Sequence, residues 1–449
     1  MFKFFRSKMK TILIAVAIIF AASMLYGIRG LSGSGRLLDR GGLAKVNGVK
    51  VDPERYREIL RRLIAQFGGQ VGLQDFAFVQ NMALEQAIDF TLMLNEAKKK
   101  VKVSGREVEM VLDNIVKQEN LGSRQNLENT LKRSGLTMGR FKKMVKNEML
   151  VQKLARKIQE GVTVTPDDLR EIRASHILVT SETQAREIIE RLNKGENFSY
   201  LAKQYSKDPG SGAKGGDLGF FTTGMMVKPF EEVAFKLKVG ELSDVVPTQF
   251  GYHVIKVTDS RLRKVEGEEK DIEKAVLAQK RNNAYRRWMG ELKSNAKVEI
   301  LSPDMRGHAY RYQGKLLEAI EEYKKAVSQN PANPYFHIFL ADSFNTIGKT
   351  DLAISEYEEA IKMEGGNPDL YIILAEIYKK QDNREEALKQ YKRASLVAAD
   401  NKAMHEKLLK IFEEMKAWDY VSREKAEIAR IVKKEKFEES LKGEGEVVQ

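Results

Sequence analysis

"KDPGSGAKGGDLGFF", residues 207–221, holds five glycines and one proline, no aliphatic residue before Leu218, and then two adjacent aromatics. A linker would account for the glycines but not for the aromatics. A surface turn would account for Asp208-Pro209-Gly210 but not for Leu218, Phe220 and Phe221. The neighbouring segments supply the context. Upstream, "RASHILVT" (173–180) reads as a strand with an internal histidine. "TQAREIIERLNKGENFSYLAKQYS" (183–206) reads as two short amphipathic helices broken at Gly195. Downstream come a short helix, "FEEVAFKL" (230–237), a turn and strand, "VGELSDVVPT" (239–248), and an alternating strand, "GYHVIKVTD" (251–259). Strand, helices, strand, helix, strand, strand is the order of a small α+β domain with helices packed on an antiparallel sheet.

Further along, the chain repeats itself. Ala319, Ala353 and Ala387 lie 34 residues apart, as do Tyr323, Tyr357 and Tyr391, and Ala326, Ala360 and Ala394. Tyr310, Phe344 and Tyr378 keep the period, and so do Pro334 and Pro368. A helix–turn–helix period of this length, with small residues where helices touch, marks tetratricopeptide repeats. Three repeats are clear, and a fourth near 402–433 has lost most positions, as terminal caps do. The Lys- and Glu-rich tail after about 434 is expected to fray.

Before the small domain, residues 53 to about 160 are helical by pattern. Leu60, Leu63, Ile64 and Phe67 share one face, as do Ile88, Leu92, Leu94 and Ala97. The plain reading is a helical packing module. A sharper one is a cradle for unfolded chains, with Met82, Met93, Met110, Met138, Met144 and Met149 as adaptable apolar surface. "AKVNGVKVD" (44–52) carries the Asn-Gly hairpin signal at 47–48. The long helix after the small domain leads to a short alternating strand at 297–301, which could pair with that hairpin.

At the N-terminus, Lys3, Arg6, Lys8 and Lys10 precede the uncharged run 11–28, "TILIAVAIIFAASMLYGI". As a helix it would rise about 27 Å, close to a bilayer core. It reads as an uncleaved anchor with the basic flank in the cytoplasm and the bulk of the chain outside, rather than as a signal peptide cut near "AAS" at 21–23. The expected location is therefore a bacterial inner membrane, single-pass. There is no cysteine, which excludes disulfides, thiolate metal sites and cysteine nucleophiles. The net charge of +13 is spread along the chain and interleaved with Glu, and no nucleic-acid motif accompanies it, so nucleic acid is not expected as a partner.

Of five histidines, His308, His337 and His405 fall in or beside the repeats, at unrelated repeat positions, and are expected to be structural or surface residues. His176 and His253 sit in the first and last strands of the small domain; if those strands are neighbours, the imidazoles can face each other. Here "ASHILV", the loop with its flanks through "ELSDVV", and "PTQFGYHVIKV" resemble the parvulin family of peptidylprolyl cis–trans isomerases over residues 171 to 260. The resemblance implies that His176 and His253 are the paired central histidines, with Asp208 and Thr248 completing a hydrogen-bonded group. It also implies a proline pocket walled by Leu218, Met226, Phe230 and Phe250, with Phe221 nearby. The loop glycines would let backbone pass close to a bound peptide without Cβ interference. No cofactor or metal is expected. The phosphate-gripping basic loop of some parvulins is absent: "TSETQAREII" (180–189) carries Glu182 and Glu187 instead. The flanks resemble the SurA/PpiD/PrsA-type extracytoplasmic foldases, although none of these accounts for the repeats.

The expected architecture is therefore multidomain: basic tail 1–10, transmembrane helix 11–28, linker 29–43, all-α chaperone module 44–168, α+β parvulin domain 169–262, returning helix and strand 263–301, α-solenoid of tetratricopeptide repeats 302–433 and charged tail 434–449. The expected function is isomerisation of X–Pro bonds in unfolded or newly translocated proteins, with a further protein partner possible on the repeats. The rival reading is a non-catalytic holdase or scaffold whose parvulin domain only binds peptides.

Overall fold

The computed structural model describes residues 42–67, 71–133, 135–262 and 269–444. The described chain forms two compact units, one from residues up to 154 together with 292 onward, the other from 155 to 291.

In the first unit, strand β1 (Ala44–Val46) turns through Asn47 and Gly48 into β2 (Val49–Lys50). Both turn residues have positive φ, the conformation of a two-residue hairpin turn and the reason for Asn-Gly there. On its other edge β1 pairs antiparallel with β7 (Val298–Ile300), Ala44 opposite Ile300. Five helices follow the hairpin: α1 (Pro53–Gln66), α2 (Leu73–Lys100), α3 (Gly105–Gln118), α4 (Arg124–Arg133) and α5 (Met138–Glu160). Asp52 caps α1 by accepting from Glu54 N, and Pro53 opens it, so an amide that would lack a helical partner is simply missing. Ile59, Leu60, Leu63 and Ile64 form its buried face. A Ser104–Glu107 capping box starts α3. Of the six methionines singled out above, only Met93 is core, and Met110 is exposed.

The repeats are paired helices: α10 (Pro303–Tyr312) with α11 (Leu316–Gln329), α12 (Pro334–Thr346) with α13 (Thr350–Met363), α14 (Pro368–Lys380) with α15 (Arg384–Val397), and α16 (Lys402–Glu414) with α17 (Trp418–Glu444). The charged residues 434–444, expected to fray, continue α17 as helix. The periodic alanines and Tyr323, Tyr357 and Tyr391 are the solenoid's core, each of them at most 1% exposed. Each buried tyrosine hydroxyl meets a side chain 15 residues earlier: Tyr323 with His308 at 2.8 Å, Tyr357 with Asp342, and Tyr391 with Glu376. Burying a phenol without a partner would cost on the order of 1–3 kcal/mol, so this polar ladder lets tyrosine serve as a core residue.

Two repeat histidines correct the expectation above. His337 and His405 are two periods apart and make the same contacts: Nδ1 to a glutamate 19 residues later, Glu356 or Glu424, and Nε2 to a backbone carbonyl six residues earlier, at Pro331 or Ala399. They occupy one repeat position.

The second unit holds a four-stranded antiparallel sheet in the order β4-β3-β6-β5, built from β3 (Arg170–Val179), β4 (Asp217–Phe221), β5 (Val246–Thr248) and β6 (Gly251–Leu262). Helices α6 (Glu182–Asn193) and α7 (Phe198–Tyr205) cover one face, over Ile177, Val179 and Val254. Helix α8 (Lys228–Ala234) packs on the other, over Ala174, Phe221 and Ile255. After β6, helix α9 (Glu269–Ser294) begins; it is polar nearly all round, and Lys280 on it pairs with Asp168 at 2.5 Å.

The fold class needs one correction. Among the described residues no helix is long and apolar enough to cross a membrane. The architecture is thus chaperone module, parvulin domain and repeats, without a described transmembrane element. The run 11–28, together with the basic tail and nearly all of the linker, lies outside the described residues.

Candidate active site

The two long strands β3 and β6 are the central pair of the sheet, with Leu178 opposite His253 and His176 opposite Ile255. His176 and His253 are therefore diagonal neighbours on one face, the face that α8 covers. Their rings stack with centroids 5.2 Å apart, and Nδ1 of one lies 3.0 Å from Nδ1 of the other. Beyond His176, Nε2 reaches Asp208 Oδ2 at 2.8 Å and Ser211 Oγ at 3.0 Å. Beyond His253, Nε2 reaches Thr248 Oγ1 at 2.8 Å. Residues from four segments thus form one hydrogen-bonded chain.

The carboxylate sets the direction of that chain. Partial burial would raise the Asp208 pKa, but bonds from Ser211, from His176 and from the Gly210 amide outweigh it and hold the group at about 2. An ionised carboxylate only accepts, so His176 carries its hydrogen on Nε2. With a neutral His176, its Nδ1 accepts from His253 Nδ1–H, and His253 Nε2 accepts from the Thr248 hydroxyl. The Phe250 amide donates to Thr248 Oγ1 at 3.1 Å, which fixes that hydroxyl in place.

Burial first, and then the adjacent His176, push His253 down to about 4, with Asp208 opposing. Its unperturbed value is 6.5. Between those values the unfolded chain binds a proton that the folded chain refuses. The contribution of His253 to stability is therefore complete above pH 6.5, declines as pH falls and levels off below about pH 4. Isomerase activity that needs a neutral His253 should stay level from about pH 8 to about pH 5 and drop with a midpoint near 4. A tetrapeptide assay across that range checks this; a midpoint near that of free histidine would contradict it.

Phe230 lies beneath both rings, edge-on, at 5.7 Å from His176 and 5.3 Å from His253. Leu218 and Met226 are half-buried and pack against the same cluster. Phe250, beside Thr248, is 60% exposed. Phe221 lies near the pocket but deeper than its wall. It is 1% exposed and sits between Phe230 and Phe235, so it belongs to the core and supports the pocket from behind.

The glycine loop differs from the expectation. Gly216 has φ +84°, and a Cβ there would stand 2.3 Å from the His176 carbonyl; at Gly215, φ +73°, it would meet the Ser199 side chain. The close approach is to the protein's own chain. The glycines seat the loop against β3 and α7, with His176 N donating to Gly216 O at 2.9 Å and Gly216 N to Ser211 O at 2.9 Å. Ser206 Oγ accepts from Leu178 N and from Asp208 N, which aligns the loop's start. Ser211, which sequence reasoning missed, donates to Asp208 Oδ2. Its spacing, three residues after the aspartate at the head of a short 3-10 turn, was the available signal.

Residues 153–261 match the PPIC-type PPIase domain, residues 1–155 the SurA-like N-terminal domain, and residues 307–344 and 348–411 tetratricopeptide repeats. Fold, site and match together define a parvulin-type peptidylprolyl isomerase. The chain is 39% identical over 249 residues to foldase protein PrsA of Geobacillus kaustophilus, covering 53% of this chain and 83% of that one. It is 43% identical over 217 residues to the PrsA of a further Geobacillus strain, covering 46% and 75%. The crystal structure of PrsA from Bacillus anthracis shares 32% identity over 47% of this chain and 97% of that one, with a TM-score of 0.28. The chain belongs to the PrsA foldase family, here carrying C-terminal tetratricopeptide repeats.

Proposed function

We propose that this foldase isomerises X–Pro bonds in unfolded and newly exported proteins outside the cytoplasm, with His176, Asp208, Thr248 and His253 as the polar group at the twisting bond. Leu218, Met226, Phe230 and Phe250 hold the proline ring. The observation that carries this reading is the stacked imidazole pair lying edge-on to the apolar floor of Phe230, with His253 held neutral by burial.

The reaction breaks no covalent bond. Its barrier, about 18–20 kcal/mol, comes from amide resonance, which places partial charge on the carbonyl oxygen and the nitrogen. An apolar, water-poor pocket stabilises that charge-separated planar form less than water does. The twisted amide, with less charge separation, loses less on entering. A thousandfold acceleration requires a difference of only about 4 kcal/mol. The histidine chain keeps a polar surface beside the bond, and its ordered hydrogens hold Thr248 and Asp208 in fixed orientation. The helical module supports chaperoning by offering half-buried methionines and the exposed Phe67 and Met110.

A phosphate requirement is not part of this function. Only Thr180 and Ser181 separate β3 from α6, and the first turn of α6 carries Glu182. A two-residue connection has no room for a clamp of basic residues, and Glu182 would repel a dianion. A matched pair of tetrapeptides, Ser–Pro and phosphoserine–Pro, should show kcat/KM for the phosphorylated form equal to or below that of the plain one. A preference above tenfold for the phosphorylated peptide would refute the assigned substrate class, and no turnover of either would refute the reading as a whole.

A further inference from the structure

Solenoid repeats generally offer a concave surface to a partner. In this chain the first repeats already hold a helix. Helix α2 is 28 residues long, about 42 Å, and one end reaches into the first two repeats. Leu73 packs against the cluster that includes Ile338 and Leu370. The Phe76 ring lies 5.3 Å from Tyr335, and the Phe78 ring 5.3 Å from Tyr312. Between them Ala77 is fully buried within the cluster of Tyr323, Phe336 and Phe339. One turn on, Gln80 Oε1 lies 3.0 Å from His308 Nε2, so that imidazole bridges α2 to the Tyr323 hydroxyl.

The repeat register gives an independent argument. The residues that meet α2 change character where the helix ends. Tyr335 in the second repeat corresponds to Asp369 in the third, and Tyr312 in the first to Thr346 and then Lys380. His308 corresponds to Asp342 and Glu376. Tyrosine and histidine stand where they meet α2, and polar or charged residues stand at the same positions in the following repeats.

We propose that the ligand of the first two repeats is the start of helix α2 of the same chain, held as repeats hold a partner's helix. The inference does not rest on the isomerase reading. It makes the repeats a clamp on the chaperone module, since the same helix carries the buried Ala83, Leu84, Ala87 and Leu92.

The test is Ala77→Arg in the full chain, which forces a guanidinium into a site with no exposure. Amide exchange in 73–84 and in 303–346 should rise at least tenfold together, while tetrapeptide kcat/KM stays within about twofold of native. A labelled peptide of residues 71–88 should bind the variant more than tenfold tighter than the native chain. Unchanged exchange in both segments, or equal peptide binding to the two proteins, overturns the proposal. Should Ala77→Arg fail to fold, the milder pair Gln80→Ala and His308→Ala decides. Melting-temperature losses that fall short of additivity in the double variant support the clamp, and additive losses refute it.

Discussion

Gly216→Ala should be the most damaging single-methyl change in the isomerase domain. The added carbon would stand 2.3 Å from the His176 carbonyl and 3.2 Å from Ala202 Cβ, on a backbone with φ +84°. Strain in the left-handed region and overpacking each cost about 1–3 kcal/mol. The domain cannot relax cheaply, because Gly216 exchanges its carbonyl and amide with His176 and Ser211. A shift of the loop would carry Asp208 and Ser211 away from His176. A displacement on the order of 1 Å at such a site costs about a hundredfold in rate. Urea unfolding of the variant should show a loss of roughly 2–5 kcal/mol, and the tetrapeptide assay should show a matching collapse of kcat/KM. Near-native values in both would mean that the loop does not need this glycine.

Phe230→Ala is expected to be next in severity. The ring is 3% exposed and contacts His176, His253 and Phe221. Removing a buried phenylalanine costs about 3–5 kcal/mol, part of it from the cavity left behind. The two edge-on contacts to the imidazoles add about 0.5–1.5 kcal/mol each. Water entering that space would restore solvation to the planar amide and to the histidines. Activity should therefore fall by more than tenfold even at temperatures where the variant is still folded. Phe230→Leu separates the two effects: it should recover much of the stability while leaving the rate low. Full recovery of both would show that the floor needs bulk but not a ring.

The parts of the fold that sequence reveals are the ones with local or periodic causes. The alanine and tyrosine ladder of the repeats follows from a fixed period. The Asn47-Gly48 hairpin follows from the positive φ that these residues tolerate. His176 and His253 could be paired because each lies in a strand of the same small domain. The depth of Phe221 was not legible because β4 meets β3 with a register shift between Arg173 and Ser175, and alternation alone does not show where such a shift falls. Ser211 was missed because its position depends on a turn, not on a period. His337 and His405 went unpaired because the comparison of repeats followed the small and aromatic positions and not the polar ones. The seating of α2 against the repeats joins Gln80 to His308, 228 residues away, and contacts of that kind leave no trace in local pattern.

The pairing of β1 with β7 orders the molecule's assembly in time. Lys297 N donates to Asn47 Oδ1 across 250 residues of chain. During synthesis from the amino end, β1 waits with one edge unfilled until residue 300 emerges. By then every strand of the isomerase sheet has already been made. The catalytic domain can complete itself while its host is still unfinished, and in doing so it draws the distant ends of its host together, shortening the loop that must close.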